Sequence, residues 1–290
     1  MVAAMHMTIA VLKLRIGLMI AATALAGMAA AGWGDMSAWR AAMLALGVLG
    51  ASGASGAFNH YYERDLDRRM RRTGSRPFAS GTLRPGAKWP LVFLLLLAVS
   101  LLLSWIAAGG VAAAFVFLGA FTYGIVYTVW LKRRSVWNIV IGGLSGSFAV
   151  LAGAYAVTPD PAPMPLILAI VLFLWTPPHF WSLAGAKGDE YRAAGVPMLA
   201  TVAPARVWTM VVLLHTLALV TISLVPPFIG AGWFYGVCAA AGGAFFAWRS
   251  ILLWHAPSTK AAMANFGASL VQLALLLLGV FLDGLLRFPS

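Results

Sequence analysis

Runs of about twenty apolar residues, broken by short clusters of charge, recur along this chain. Nine such segments can be traced, at roughly 16–32, 39–60, 89–108, 110–130, 137–157, 164–183, 207–227, 231–253 and 265–286. Each is near the ~20 residues that an α-helix needs to span the hydrocarbon layer of a bilayer. The third and fourth meet at Gly109-Gly110, so their connection is very short. The pattern predicts an all-α, polytopic membrane protein of nine transmembrane helices. No internal repeat, low-complexity segment or appended soluble domain interrupts it, and a single domain over residues 1–290 is expected.

Composition supports this reading. Of 290 residues, 62% are hydrophobic and 10% charged, whereas a soluble protein carries about a quarter charged residues. The histidines (His6, His60, His179, His215 and His255) include no pair four apart, which argues against a histidine-based zinc site. Cys238 is the only cysteine; it forms no internal disulfide and reads as a small core side chain. A net charge of +12 could suggest nucleic acid as a partner, but its distribution has another cause. With a cytoplasmic N-terminus, the loops at 61–88, 131–136, 184–206 and 254–264 share one side of the membrane. Eighteen of the twenty lysines and arginines then lie on that side, leaving only Arg40 and Arg287 outside. The positive-inside bias places the N-terminus in and the C-terminus out, in the plasma (inner) membrane. The first segment imitates a signal peptide, with Lys13 and Arg15 before it and Ala29-Ala30-Ala31 at its end. Its apolar stretch is long for one, so an uncleaved first helix is expected. The stretch Thr158 to Pro163 reads as a proline-rich turn.

The chemistry concentrates where the second segment ends, in Asn59-His60-Tyr61-Tyr62-Glu63-Arg64-Asp65-Leu66-Asp67 and the arginine-rich residues that follow. Asn59, Glu63 and Asp67 are spaced four apart and share about 80° of one helix face. Oxygen donors on one face suit Mg²⁺, which binds through one or two carboxylates plus substrate phosphates. The neighbouring Arg64, Arg68, Arg69, Arg71, Arg72 and Arg76 suit the phosphates themselves. A loop serving only to orient the protein would need the basic residues but not the spaced carboxylates. Asp65 lies off the shared face and is expected to be solvated or paired with Arg68 or Arg69.

A second cluster follows the sixth segment, where Pro177-Pro178-His179-Phe180-Trp181 leads to Lys187-Gly188-Asp189-Glu190-Tyr191-Arg192. Asp189 and Glu190 emerge on the same side as Glu63 and Asp67, so the two acidic clusters could clamp two Mg²⁺ ions and a diphosphate between them. The prolines are expected to kink or break the helix and let the following residues fold over a cavity. Lys132-Arg133-Arg134 reaches the same face, as topology determinants or as diphosphate contacts. Gly142, Gly143 and Gly146, after Asn138, read as close helix contacts.

These motifs resemble a known family. Asn59-x-x-x-Glu63-x-x-x-Asp67, followed by Met70-x-Arg72-Thr73-x-x-Arg76-Pro77, is similar to the first motif of the intramembrane prenyltransferases, the UbiA superfamily. Within it, four stretches resemble the haem O synthase branch: Tyr127-Thr128-x-x-Leu131-Lys132-Arg133, the run from Asn138 to Gly143, Pro178-His179-Phe180-Trp181, and Asp189-Glu190-Tyr191 through Leu199. The similarity by motif covers roughly residues 12–205. It implies a nine-helix bundle around a central, lipid-open cavity with a Mg²⁺–diphosphate site at its cytoplasmic mouth. It also implies farnesyl transfer from farnesyl diphosphate to a vinyl group of protohaem IX.

On that basis Asn59, Glu63, Asp67, Asp189 and Glu190 are the expected Mg²⁺ ligands. Arg72, Arg76, Lys132, Lys187 and Arg15 are the expected diphosphate contacts. His179 is either a haem ligand or a residue bonding carbonyls freed by the two prolines. The chain departs from the branch in three places: Lys13-Leu14-Arg15 replaces Lys-Pro-Arg, paired prolines are missing after the Ile-Gly-Gly run, and Gly188 stands where a basic residue is usual. The second departure bears on the acceptor pocket. Two rival readings are a prenyltransferase for a quinone precursor or chlorophyll-type acceptor, and a cation-coupled transporter. A transporter would call for acidic residues near the membrane midplane, and the apolar segments are nearly free of them.

The charge bias generates a test of topology. In a Cys238→Ser background, Arg68→Cys, Arg133→Cys and Asp189→Cys should each resist an impermeant thiol reagent in intact cells and react in inverted vesicles. Labelling of any of the three from outside would separate loops that the shared site requires on one face.

Overall fold

The protein is described here by a computed structural model covering residues 2–160 and 163–286. All regular structure among these residues is helical. Helix α1 (Val2–Val11) leads into α2 (Leu14–Ala30), α3 (Ala38–Tyr62) and a single turn, α4 (Arg64–Asp67). Helix α5 (Lys88–Phe121) continues without a loop into a π-helix, Thr122–Leu131. Next come α6 (Asn138–Gly142) and α7 (Leu144–Val157), α8 (Pro163–Ala186), and the short α9 (Gly188–Ala193) and α10 (Leu199–Val202). Helix α11 (Ala205–Ser223), a 3-10 turn at Pro226–Ile229, α12 (Trp233–His255) and α13 (Thr259–Leu286) complete the chain. Arg287, and Pro161 and Ala162 of the proline-rich turn, lie outside the described residues.

Among the described residues, seven helical stretches are long and apolar enough to cross a membrane, against nine expected segments. The difference has two sources. The third and fourth segments form one stretch of 44 residues, Lys88–Leu131, interrupted at Gly109 with φ 81° and ψ 178°. That backbone conformation is open to glycine and avoided by other residues. Before the interruption, Ser100 and Ser104 pack against Gly50 and Gly47 of α3; after it, Phe115 stacks on Tyr155 of α7 at 5.1 Å. The second source is α2, whose 17 residues make it a shorter apolar helix than the other seven.

Inside a bilayer, apolar burial gives little drive for helices to associate, so small residues that admit close backbone approach take over. A Cβ at Gly27 of α2 would run into the Val150 carbonyl oxygen, and one at Gly153 of α7 into the Ala24 carbonyl oxygen. The two backbones therefore touch at both points. Ala24, Met28, Leu44, Val48, Ala149 and Ala152 form the adjoining core. Leu91, Leu94, Leu95, Leu102 and Trp105 of α5 point outward, as a lipid-facing surface should. On α13, Asp283 accepts hydrogen bonds from the Gly232 and Tyr235 N–H groups and so caps α12.

One expectation about the backbone is corrected. Helix α8 runs through Pro177 and Pro178 without breaking. Prolines persist in transmembrane helices where neighbouring groups and local adjustment satisfy the backbone, and α8 continues past both to Ala186. The chain turns later, at Lys187 (φ −122°, ψ 29°), between α8 and α9.

The α2–α7 contact predicts a contrast between two glycines. Gly153→Ala should lower the melting temperature of detergent-purified protein by several degrees, the equivalent of about 1–3 kcal/mol of overpacking. Gly267→Ala, where a Cβ meets nothing within 4 Å, should leave it unchanged. Equal melting temperatures would show that the two backbones are not in contact.

Candidate active site

The row Asn59–Glu63–Asp67 survives the end of α3 because its hydrogen-bond ladder does. Glu63 N–H donates to the Asn59 carbonyl at 2.9 Å, and Asp67 N–H to the Glu63 carbonyl at 2.8 Å. All three side chains are buried, Glu63 completely. Burying carboxylates this way is costly unless they are paired, and each member of the row has a cation beside it. Lys13 Nζ donates to Asn59 Oδ1 at 2.6 Å. Lys132 Nζ donates to Glu63 Oε2, and Arg76 Nη1 meets both Asp67 oxygens at 2.9 Å. Three cations thus face two carboxylates and an amide, which leaves a positive site.

Irregular backbone delivers two of these cations. Lys13 adopts a left-handed conformation, φ 50° and ψ 41°, at the junction of α1 and α2. A proline at position 14 would push the preceding residue towards extended conformations, and Leu14 permits the turn. Enclosure by the bundle holds the Lys13 ammonium well below its ordinary lysine range; Arg76 and Lys132 push the same way, while Glu63 and Asp67 oppose it. Lys132 ends the π-helix, where the i to i+5 spacing aligns Tyr123 with Thr128 and Tyr127 with Lys132. Thr128 Oγ1 donates to the Tyr123 carbonyl at 2.8 Å and accepts from Asn59 Nδ2 at 3.0 Å. Tyr123 and Tyr127 stack at 5.6 Å, and Tyr123 Oη receives a second bond from Lys13 at 2.8 Å.

The expected residues divide into three groups. Asn59, Glu63, Asp67, Arg76 and Lys132 converge in this inner cluster. Arg72, Lys187 and Glu190 stand at its mouth, lining a pocket with Arg71; the Arg72 N–H lies 3.3 Å from Glu190 Oε2, linking the two acidic stretches. Asp189 and Arg15 stand apart. Asp189 is fully exposed and pairs with Arg192 at 2.7 Å. Tyr191 is the buried anchor of α9, and two residues of helix turn Asp189 to the opposite side. Arg15 is exposed on α2, about 160° around the helix from buried Gly17. Asp65 is exposed and lies 3.6 Å from Arg68.

Neither His60 nor Lys13 was among the expected site residues. His60 is 4% exposed, and its Nδ1 is buried without a partner. Its i, i+3, i+7 spacing with Glu63 and Asp67 was the available signal. Asn138 Nδ2 ties the Ser135 carbonyl (2.6 Å) to the Pro197 carbonyl (2.9 Å), bracing the loop that follows α9 against the one that follows Lys132. His179 lies on α8, away from this charged row. Its Nδ1 is 2.7 Å from Ser269 Oγ, so it does not serve the carbonyls freed by the prolines.

Among the described residues no three His, Cys, Asp or Glu side chains gather as a self-sufficient metal site. The donor set still fits a hard divalent ion. Glu63 Oε1 is a buried carboxylate oxygen with no partner, and Asp67 and Asn59 add oxygens beside it. An ion bound here would complete its coordination with phosphate and water oxygens, as Mg²⁺ commonly does.

Comparison with known proteins identifies the family and the fold. The model of the UbiA prenyltransferase family matches residues 20–282. Two relatives from Paramagnetospirillum magneticum are similar over nearly their whole length. Protoheme IX farnesyltransferase 2 is 52% identical, covering 99% of each chain; protoheme IX farnesyltransferase 1 is 45% identical, covering 95% of this chain and 97% of its own. Among solved structures, a digeranylgeranylglyceryl phosphate synthase superposes with a TM-score of 0.81 at 15% identity, over 97% of this chain and 98% of that one. A UbiA homologue from Archaeoglobus fulgidus bound to DMAPP and Mg²⁺ gives 0.71 at 15% identity, over 93% and 98%. The fold is that of these membrane enzymes, and with the family model matched from the first long helix to the last, the chain belongs to the UbiA prenyltransferase family as a multi-pass membrane prenyltransferase.

Proposed function

We propose that this protein transfers the farnesyl group of farnesyl diphosphate to a vinyl group of protohaem IX, forming haem O and releasing diphosphate. The buried Asn59–Glu63–Asp67 row with its three cations carries the donor half of this reading. The full-length relatives named protoheme IX farnesyltransferase carry the acceptor half. The site lies at the cytoplasmic face of the plasma membrane in this reading, and the distribution of lysine and arginine supports that orientation.

The work of the side chains follows from the charges. Farnesyl diphosphate loses its allylic C–O bond, so negative charge grows on the diphosphate and positive charge on the farnesyl carbon. Arg76, Lys132 and Lys13 are held in place before the reaction, so they stabilise the growing negative charge without reorganising. Arg72 and Lys187 attract the diphosphate at the mouth. Bound Mg²⁺, held by Glu63, Asp67 and Asn59, would neutralise further charge on the leaving group. The vinyl π-electrons form the new C–C bond and leave a cation on the vinyl carbon next to the macrocycle; water adds there, giving the hydroxyl of the product and releasing a proton. The stacked Tyr123 and Tyr127 rings and the apolar bundle keep other water from the farnesyl cation.

Purified protein supplied with Mg²⁺, farnesyl diphosphate and haem should yield a farnesylated haem and diphosphate. Failure with haem but turnover with a phenolic acid would move the protein to another acceptor. Glu63→Gln and Asp67→Asn should each lower turnover by about 10²- to 10³-fold, the scale for removing one preorganised electrostatic contact, with membrane insertion intact. Glu190→Gln should cost more than Asp189→Asn, and Asp65→Asn should stay within a few-fold of wild type. Equal sensitivity at Asp65 and Asp67 would break the shared-face argument. For the acceptor, His179→Ala should shift or weaken the Soret band of haem-loaded protein while diphosphate binding persists, whereas changes at His215 and His255 should not. An unchanged band in His179→Ala would remove that residue from the haem site.

A further inference from the structure

We propose that Ser269 of α13 is a positioning residue for His179, holding its imidazole as the Nδ1–H tautomer so that Nε2 presents a bare lone pair to haem iron. This rests on the reading of the protein as a haem farnesyltransferase and extends it to how the acceptor is held.

The proton count at Ser269 decides the tautomer. A serine hydroxyl has one proton and two lone pairs. Ser269 Oγ donates that proton to the Phe266 carbonyl at 2.6 Å. At the 2.7 Å contact with His179 Nδ1, Oγ must then be the acceptor, and Nδ1 carries the hydrogen. A neutral imidazole with hydrogen on Nδ1 has its lone pair on Nε2. Ser269 is itself fixed, because Trp175 Nε1 donates to its backbone carbonyl at 2.9 Å.

The ring plane is fixed as well. Trp175 lies against one face of the imidazole at 4.2 Å and 19°, and Phe266 stacks on it at 4.5 Å and 29°. Phe180 approaches edge-on at 5.0 Å. With its faces occupied, the ring can meet a ligand only through its edge. Nδ1 is committed to Ser269. Nε2 has no hydrogen-bond partner among the described residues and, unlike Nδ1 of buried His60, is not sealed off from surrounding space. Iron-ligating histidines commonly use one ring nitrogen while a hydrogen bond at the other sets tautomer and orientation, and removing that partner costs about 10- to 100-fold in affinity.

The test has one readout that does not depend on haem. In protein labelled with ¹⁵N-histidine, with the His179 signals assigned by their loss in His179→Gln, wild type and Ser269→Thr should show Nδ1 protonated and Nε2 bare. Ser269→Ala should lose that single tautomer. In haem titrations, Ser269→Ala should bind haem about tenfold more weakly and shift the Soret band towards that of His179→Ala. Ser269→Thr should restore both, and affinity for farnesyl diphosphate should be unchanged throughout. A protonated Nε2 in wild type, or a tautomer indifferent to Ser269→Ala, would overturn the inference whatever haem does. An Nδ1–H tautomer that obeys Ser269, combined with a haem spectrum indifferent to His179, would uphold the hydrogen bond and overturn its role in holding the acceptor.

Discussion

The pairing of buried carboxylates with cations at one end of the bundle is the constraint that the rest of this structure serves. Glu63 and Asp67 are almost wholly enclosed, and an enclosed carboxylate without a partner costs several kcal/mol. Lys132 and Arg76 remove that cost, and Lys13 extends the same arrangement to Asn59. The three cations come from the α1–α2 junction, the loop after α4 and the end of the π-helix, so chain segments far apart in sequence must converge on one point. The helices carry this geometry because their backbones meet at glycines, as α2 and α7 do at Gly27 and Gly153. With Lys132 and Arg76 already matching the two carboxylates and Lys13 adding a third basic group, the cluster favours an anion of high charge and gives little welcome to a lone metal cation. That is the electrostatic signature expected of a site where metal and diphosphate arrive together.

Regular helices alone could not build this cluster. Lys13 turns inward through a left-handed backbone, Glu63 sits at a joint with φ −90° and ψ 6°, and Lys132 closes a π-helix. Strained or irregular backbone persists where surrounding contacts over-determine it, and it gathers at functional sites. The π-helix has an identifiable effect. Its i to i+5 alignment lets Thr128 receive Asn59 while Lys132 reaches Glu63 from the next turn.

These irregularities also explain what could be read from the sequence. The Asn59–Glu63–Asp67 row was legible because the backbone ladder runs through the joint at Glu63, so simple helical periodicity still held. Lys132 and Arg76 were legible by charge and motif. Choosing Lys13 over Arg15 required knowing the left-handed turn at Lys13, which a sequence at non-glycine positions does not announce. Placing Asp189 beside Glu190 at the site ignored that adjacent helical residues point about 100° apart; the burial of Tyr191 settles which of them faces outward. Of the kink or break expected at Pro177-Pro178, the break is absent: α8 runs unbroken from Pro163 to Ala186, tertiary surroundings overriding local propensity. The nine apolar segments were legible as hydropathy, whereas the uninterrupted run from Lys88 to Leu131 depended on the conformation of one glycine.

Donor and acceptor make opposite demands, and the two halves of the bundle meet them differently. A diphosphate needs fixed charge at the membrane surface, supplied by α3, α4 and the π-helix. A flat, largely apolar macrocycle needs one oriented lone pair, which His179 of α8, held between Trp175 and Phe266, can supply. Under the proposed function both substrates are amphiphiles, each with an anionic head and an apolar body, so both can approach from the lipid phase with their heads at the cytoplasmic surface. A water-filled route across the membrane would be a liability here, because water at the allylic carbon hydrolyses the donor. Gathering most of the lysines and arginines at one end of a largely apolar bundle is therefore part of the chemistry, and it separates this arrangement from that of a transporter, whose charges must line a path to the far side.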